Sequence, residues 1–336
     1  MRAKAEAIAE LAPTPLDDLA RLLEGDLSAT NALILERLDS PVGLIPDLAA
    51  HLIDAGGKRL RPMITLAAAG LFGQAGRRAH CLAAAVEFIH SATLLHDDVV
   101  DESDLRRGRR TAHRIWGNSA SVLVGDFLFA RSFNLMVETG DLRVLDILAR
   151  AASVIAEGEV MQLAAVHDAA AELDHYLRIV DAKTAALFAA AAQAGAVVAG
   201  GDARQEAALE AYGRNLGLAF QLVDDALDYG GRAAVMGKSA GDDFREGKIT
   251  MPVLIARECA DAEEMEFWRR TMGGAQNPGD FERALSILAG HDAIAETLRR
   301  AQSYADAAKA ALAEAPRGRI SDLLADLADF CVGRAF

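Results

Sequence analysis

Apolar residues recur at three- and four-residue spacing along nearly the whole chain, and the period-two alternation of a half-buried strand is missing. The pattern predicts helices over residues 15–38, 43–55, 62–73, 77–105, 119–138, 141–166, 172–200, 203–230, 249–272, 278–313 and 319–334. Turn chemistry separates them: Gly56-Gly57, Pro62 at a first helical position, Gly108, Gly140-Asp141, Gly200-Gly201, Gly230-Gly231 and Pro316. No short-period repeat, low-complexity tract or long linker divides the chain. The expectation is one all-α domain over residues 1–336, with residues 1–30 as a peripheral extension.

Composition narrows the function classes. Of 336 residues, 52% are hydrophobic and 25% charged, which excludes wholesale disorder. Asp and Glu outnumber Lys and Arg by 49 to 35, a net charge of −14 that argues against a nucleic-acid partner. Cys81, Cys259 and Cys331 share no metal-like spacing and form no disulfide framework, so a reducing, cytoplasmic setting is expected. The N-terminus lacks a signal-peptide core. The longest uncharged run, Thr184 to Gly201, is 18 residues dominated by Ala and Gly, which reads as a closely packed buried helix rather than a transmembrane segment.

Two acidic strings carry the first chemistry. In His96-Asp97-Asp98-Val99-Val100-Asp101, Asp97 and Asp101 are one helical turn apart and share a face, with Asp98 about 100° round. Asp224, Asp225 and Asp228 repeat the arrangement. A solvated acidic face is the ordinary reading of such strings. Here both lie near helix C-termini, where the macrodipole disfavours carboxylates, and both are flanked by Phe, Leu and Ile. Like charges in such a place call for a cation. Carboxylates without His or Cys point to Mg²⁺, with Mn²⁺ as a substitute, the coordination being completed by substrate phosphates.

Counting from 77–105, helix 203–230 is the fifth. Short loops make neighbours antiparallel, so both strings open at one end of the bundle. Basic residues gather at the same end: Lys58, Arg59 and Arg61; Arg106, Arg107, Arg109 and Arg110; Lys183; Lys238; and Lys248. Arg forks and Lys point charges suit a diphosphate. His90 lies two turns before Asp97 on its face.

The strings Gly57-Lys58-Arg59-Leu60-Arg61-Pro62, Leu95-His96-Asp97-Asp98-Val99-Val100-Asp101, Arg106-Arg107-Gly108, Lys183-Thr184, Gln221-Leu222-Val223-Asp224-Asp225-Ala226-Leu227-Asp228 and Gly241-Asp242-Asp243-Phe244-Arg245-Glu246-Gly247-Lys248 together resemble the trans-polyprenyl diphosphate synthases, in order from about residue 40 to the C-terminus. The resemblance implies an isoprenoid-synthase bundle around an elongated apolar cavity. It also implies head-to-tail elongation of an allylic diphosphate by isopentenyl diphosphate, and a homodimer. On this resemblance Asp97, Asp98, Asp101, Asp224, Asp225 and Asp228 hold Mg²⁺. Arg106, Lys183, Thr184, Gln221, Lys238 and Lys248 attend the allylic diphosphate, and Lys58, Arg61, His90 and Arg107 the isopentenyl diphosphate.

Family members that stop at short products often carry a bulky aromatic five residues before the first aspartate. Here that residue is Ala92, followed by Thr93, and Phe129, Phe133 and Met136 are candidates for a lower floor. The resemblance therefore implies an octaprenyl-to-decaprenyl product for a quinone side chain, passed on to a membrane. A shorter-chain synthase, a class I terpene cyclase and a non-catalytic subunit of a heteromeric synthase are the rival readings.

Overall fold

The structure, a computed structural model, describes residues 13–54, 58–73, 76–230 and 241–334. Thr14 opens the first helix with a capping box: its hydroxyl accepts the Asp17 amide, and the Asp17 carboxylate accepts the Thr14 amide. Helices α1 (Pro15–Leu22) and α2 (Glu24–Leu38) replace the single expected helix. Leu16, Leu19, Leu23 and Thr30 are buried, so this stretch belongs to the core rather than to a peripheral extension. Then come α3 (Leu44–Asp54), α4 (Leu60–Gly70) and α5 (Arg77–Val100).

After α5 the chain departs from the helical expectation. A two-stranded antiparallel ribbon, β1 (Leu105–Arg106) and β2 (Arg109–Arg110), turns through Arg107 and Gly108 at φ +53° and +75°. Positive φ at both central residues is the tight hairpin turn that Asn-Gly usually announces, and Arg-Gly does not announce it.

The remaining elements are α6 (Ala112–Trp116), α7 (Asn118–Glu138), α8 (Leu142–Ala165), α9 (Leu173–Val180), α10 (Ala186–Val198) and α11 (Ala203–Tyr229), then α12 (Asp242–Arg245), α13 (Met251–Cys259), α14 (Ala262–Met272), α15 (Asp280–Gly290), α16 (Ala293–Ala311) and α17 (Arg319–Gly333). A π-helical turn, Asp181–Ala185, interrupts the helix expected over 172–200.

Helix α10 is the axis of the bundle. All of it but Gln193 is buried, and it packs against α4, α5, α8 and α11, while α5 lies along α7 and α11 along α16. Small residues let these helices approach closely. Removing such an apolar stripe from water is the main stabilising term. Among the described residues one helix, α7, is long and apolar enough by composition to cross a bilayer, yet its Val124, Leu128, Leu135 and Met136 are buried in the core. Two shallow clefts flank α5. One is lined by Leu95, Asp98 and Arg106, the other by Arg59, Glu87, Phe88 and Leu128.

Candidate active site

The loop that follows the second acidic string closes back on the first. Asp228 accepts hydrogen bonds from the Asp242 and Asp243 amides, at 3.3 and 3.1 Å, and so shapes the start of α12. That turn delivers Lys248, whose Nζ lies 3.4 Å from Asp101 and 2.6 Å from Glu246. Burial would lower the Lys248 pKa, but these carboxylates outweigh it and hold the ammonium charged. The two strings therefore share a mouth, as the helix count implied.

Protein cations neighbour Asp97, Asp101 and Asp224 among the outer aspartates. Lys248 serves Asp101, Lys183 lies 3.8 Å from Asp97, and Arg334 donates to Asp224 at 2.7 Å. Burial pushes the Asp97 carboxyl up to about 6; the Lys183 ammonium offsets part of this and Glu159 and Asp101 add to it. A half-buried carboxylate set that draws Lys248, Lys183 and Arg334 has the chemistry of a hard divalent-ion site. Among the described residues no three acidic, His or Cys side chains already converge on one point.

The middle aspartate of each string behaves differently from its neighbours. Asp98 is 2% exposed and takes two donors from Arg106, at 2.7 and 2.8 Å. Asp225 is also 2% exposed and accepts from Tyr176 Oη at 2.5 Å, Gln221 Nε2 at 2.9 Å and the Met251 amide at 3.3 Å. Burial pushes the Asp225 carboxyl up despite these donors. In the structure Asp98 and Asp225 are turned into the walls of the mouth, each already held by protein donors, whereas their neighbours in the strings are more exposed. Arg106 correspondingly braces Asp98, because the ribbon's turn aims it back along α5.

Thr184 and Gln221 are brought together, Thr184 Oγ1 donating to Gln221 Oε1 at 2.8 Å, and the chain of bonds continues through Asp225 to Tyr176. Lys183 and Thr184 lie on the π turn, a feature frequent at functional sites.

A second group, rich in guanidiniums, adjoins the first. Arg61 is half-buried, stacks over Phe188 with 4.4 Å to the ring centroid, and lies 3.2 Å from His90 Nε2. Burial pulls Arg61 down to about 10. Its Nε is buried without a hydrogen-bond partner among the described residues. Burial, then Arg61, Arg106, Arg107 and Arg59, drive the His90 pKa well below its ordinary value, so the imidazole is neutral. The nearest compensation is Glu87, ion-paired with Arg59. So many guanidiniums around an orphaned donor leave room for an anion. Lys58 is at the rim, 5.5 Å over the Phe330 ring.

Lys238 lies outside the described residues. Ala92 is fully buried in α5, and Thr93 donates to the His90 carbonyl at 2.8 Å. Met136 is buried, whereas Phe133 is 38% exposed on the outer face of α7 with Val122, Leu123 and Val137, which removes it from an internal floor. Sequence reasoning missed Arg334, which also stacks on Phe220 at 3.9 Å, together with Tyr176 and Glu159. Their partners are 49 to 110 residues away or, for Glu159, on the far side of a loop, and no local spacing signals them.

A polyprenyl synthetase family profile matches residues 43–288. The octaprenyl diphosphate synthase of Escherichia coli strain K12 is 44% identical over 95% of this chain and 99% of its own. A solved polyprenyl synthase from Caulobacter crescentus CB15, complexed with calcium and isoprenyl diphosphate, superposes with a TM-score of 0.92 at 56% identity, over 97% of this chain and all of that one. A decaprenyl diphosphate synthase from Rhodobacter capsulatus matches with the same TM-score at 53% identity, covering 96% and 100%.

Proposed function

The chain belongs to the polyprenyl synthetase family and is a prenyltransferase, and from that membership we propose that it elongates an allylic diphosphate with successive isopentenyl diphosphate units to a long-chain all-trans polyprenyl diphosphate. The observation that carries this reading is a mouth with two kinds of diphosphate site: ion-seeking Asp97, Asp101, Asp224 and Asp228, and beside them the cation cluster of Arg61, Arg107 and neutral His90. A terpene cyclase has no use for the second.

Mg²⁺, or Mn²⁺ in its place, would be held by Asp97, Asp101, Asp224 and Asp228 and would stabilise charge on the departing diphosphate. Lys183 and Lys248 add fixed positive charge at the same place, costing no reorganisation when the allylic carbon–oxygen bond breaks. Arg61, Arg107 and Lys58 orient isopentenyl diphosphate so that its double bond faces the resulting allylic cation. The new carbon–carbon bond forms, and the proton then lost passes to the released diphosphate. The apolar walls keep water from the cation. Buried Ala92 in place of an aromatic side chain, with octaprenyl and decaprenyl synthases as relatives, supports an octaprenyl-to-decaprenyl product and a quinone side chain as its destination.

The outer face of α7 and α8 carries exposed Leu123, Phe133, Val137, Leu142, Val160 and Leu163, an apolar surface suited to a second copy of the chain. Three free cysteines, two of them buried, fit the cytoplasm. The test is incubation with labelled isopentenyl diphosphate and an allylic primer, with and without a chelator, followed by chromatography. Metal-dependent incorporation into C40–C50 products is expected. No incorporation by the purified chain would refute the reading, and a cyclised primer would favour the cyclase.

A further inference from the structure

Lys183 has two acidic neighbours, and it prefers the one that the acidic strings do not contain. Its Nζ lies 2.7 Å from Glu159 Oε2 and 3.8 Å from Asp97 Oδ2, and all three side chains are less than one-third exposed. Glu159 is on α8, outside every string that the sequence singled out. Its placement is fixed by the residue before it. A Cβ on Gly158 would lie 2.8 Å from Ala182 Cβ and 2.9 Å from the Lys183 amide, so α8 meets the π turn backbone to backbone, one residue before the carboxylate that grips the lysine. From the other side Arg214 holds Asp181, the first residue of the π turn, at 2.6 and 2.7 Å.

We propose that Glu159 is a positioning residue: it anchors the Lys183 ammonium beside Asp97 rather than on it, leaving the carboxylate for the divalent ion and the lysine aimed at the allylic diphosphate. An ammonium this enclosed must have a carboxylate partner. Without Glu159 the partner within reach is Asp97, and a lysine collapsed onto Asp97 would compete with the ion for the same oxygens. The proposal rests on the prenyltransferase reading.

The experiment is a double-mutant cycle of Glu159→Gln and Lys183→Ala, with the KM of each substrate measured separately and melting temperature as the control for folding. Glu159→Gln is expected to raise the allylic KM and the Mg²⁺ half-saturation concentration by about tenfold, the weight of one charge-assisted hydrogen bond, while the isopentenyl diphosphate KM stays within about twofold. In the Lys183→Ala background the same substitution should add nothing further, because its effect passes through the lysine. Full additivity, or equal loss for both substrates, overturns the role of Glu159. Wild-type incorporation is measured first: its absence sinks the prenyltransferase reading itself, whereas its presence with an additive cycle sinks the Glu159 role alone.

Discussion

Replacing Gly217 by alanine sets two well-calibrated effects against each other. Gly217 is in the interior of α11, where alanine gains about 1 kcal/mol of helix propensity. The added Cβ would stand 2.6 Å from Ala185 Cα, 3.1 Å from Ala185 Cβ and 3.3 Å from Phe188 Cβ. Carbons rest at about 3.5–4.0 Å, so α11 or the π turn must move by about 1 Å. Neither neighbour is the end of a flexible side chain, and overpacking of this kind costs about 1–3 kcal/mol. Sterics should win by about 1 kcal/mol, lowering the melting temperature by about 1–2 °C in a chain of 336 residues. The larger effect is on chemistry. Ala185 directly follows Lys183 and Thr184, and a displacement of about 1 Å at a positioned group can lower turnover about 100-fold. Gly25→Ala is the control: Gly25 is in α2 with nothing within 4 Å of its ideal Cβ, and it should gain about 0.5 kcal/mol or more with turnover unchanged. Thermal unfolding and steady-state kinetics on both variants decide the matter. A Gly217→Ala protein as stable as Gly25→Ala and fully active would refute the close-packing argument.

Other substitutions probe the division of labour among the aspartates. Asp225→Ala strands three donors, from Tyr176, Gln221 and Met251, at about 1 kcal/mol or more each, so urea denaturation should show a loss of about 3 kcal/mol. Asp224→Ala should abolish turnover with stability nearly intact, and the opposite pattern would reverse the two roles. Acid should act through Asp97: its folded pKa of about 6 lies above the ordinary 3.8, so the metal-free folded state holds this proton more tightly than the unfolded chain. That contribution, about 3 kcal/mol, is full below pH 3.8 and lost as pH rises through about 6. A divalent ion competes with the same proton, so the gain in melting temperature from Mg²⁺ should grow between pH 5 and pH 7 and then level off; a gain independent of pH would exclude Asp97 as a ligand. Ala92→Phe should shorten the product seen by chromatography, and an unchanged length would place the wall of the tail path elsewhere.

The sequence made the helical content readable because small and apolar residues repeat at helical spacing over most of the chain. It made the shared mouth readable because helix parity needs only short loops. It did not reveal the ribbon at Leu105–Arg110, whose turn uses Arg-Gly, nor the π turn, since one extra residue in a helical repeat leaves the apolar period almost unchanged. Periodicity says which residues share a face and not which wall that face meets. That is why the offset of Asp98 from Asp97 and Asp101 was legible but its partner Arg106 was not, and why Phe133 read as interior when it lies on the outer side of α7.

The inward turn of Asp98 and Asp225 changes how an Asp-Asp-x-x-Asp string should be scored in any other chain. One α-helix cannot aim positions one, two and five at a single target, so the middle acid is answerable to whichever element packs beside it. A homologue carrying Asn or Ser there, with a complementary change at the site of Arg106 or Tyr176, could keep its catalytic competence. One that keeps all three acids but loses those partners would bury an unpaired carboxylate and lose stability, a difference invisible to a pattern search that weights the letters equally.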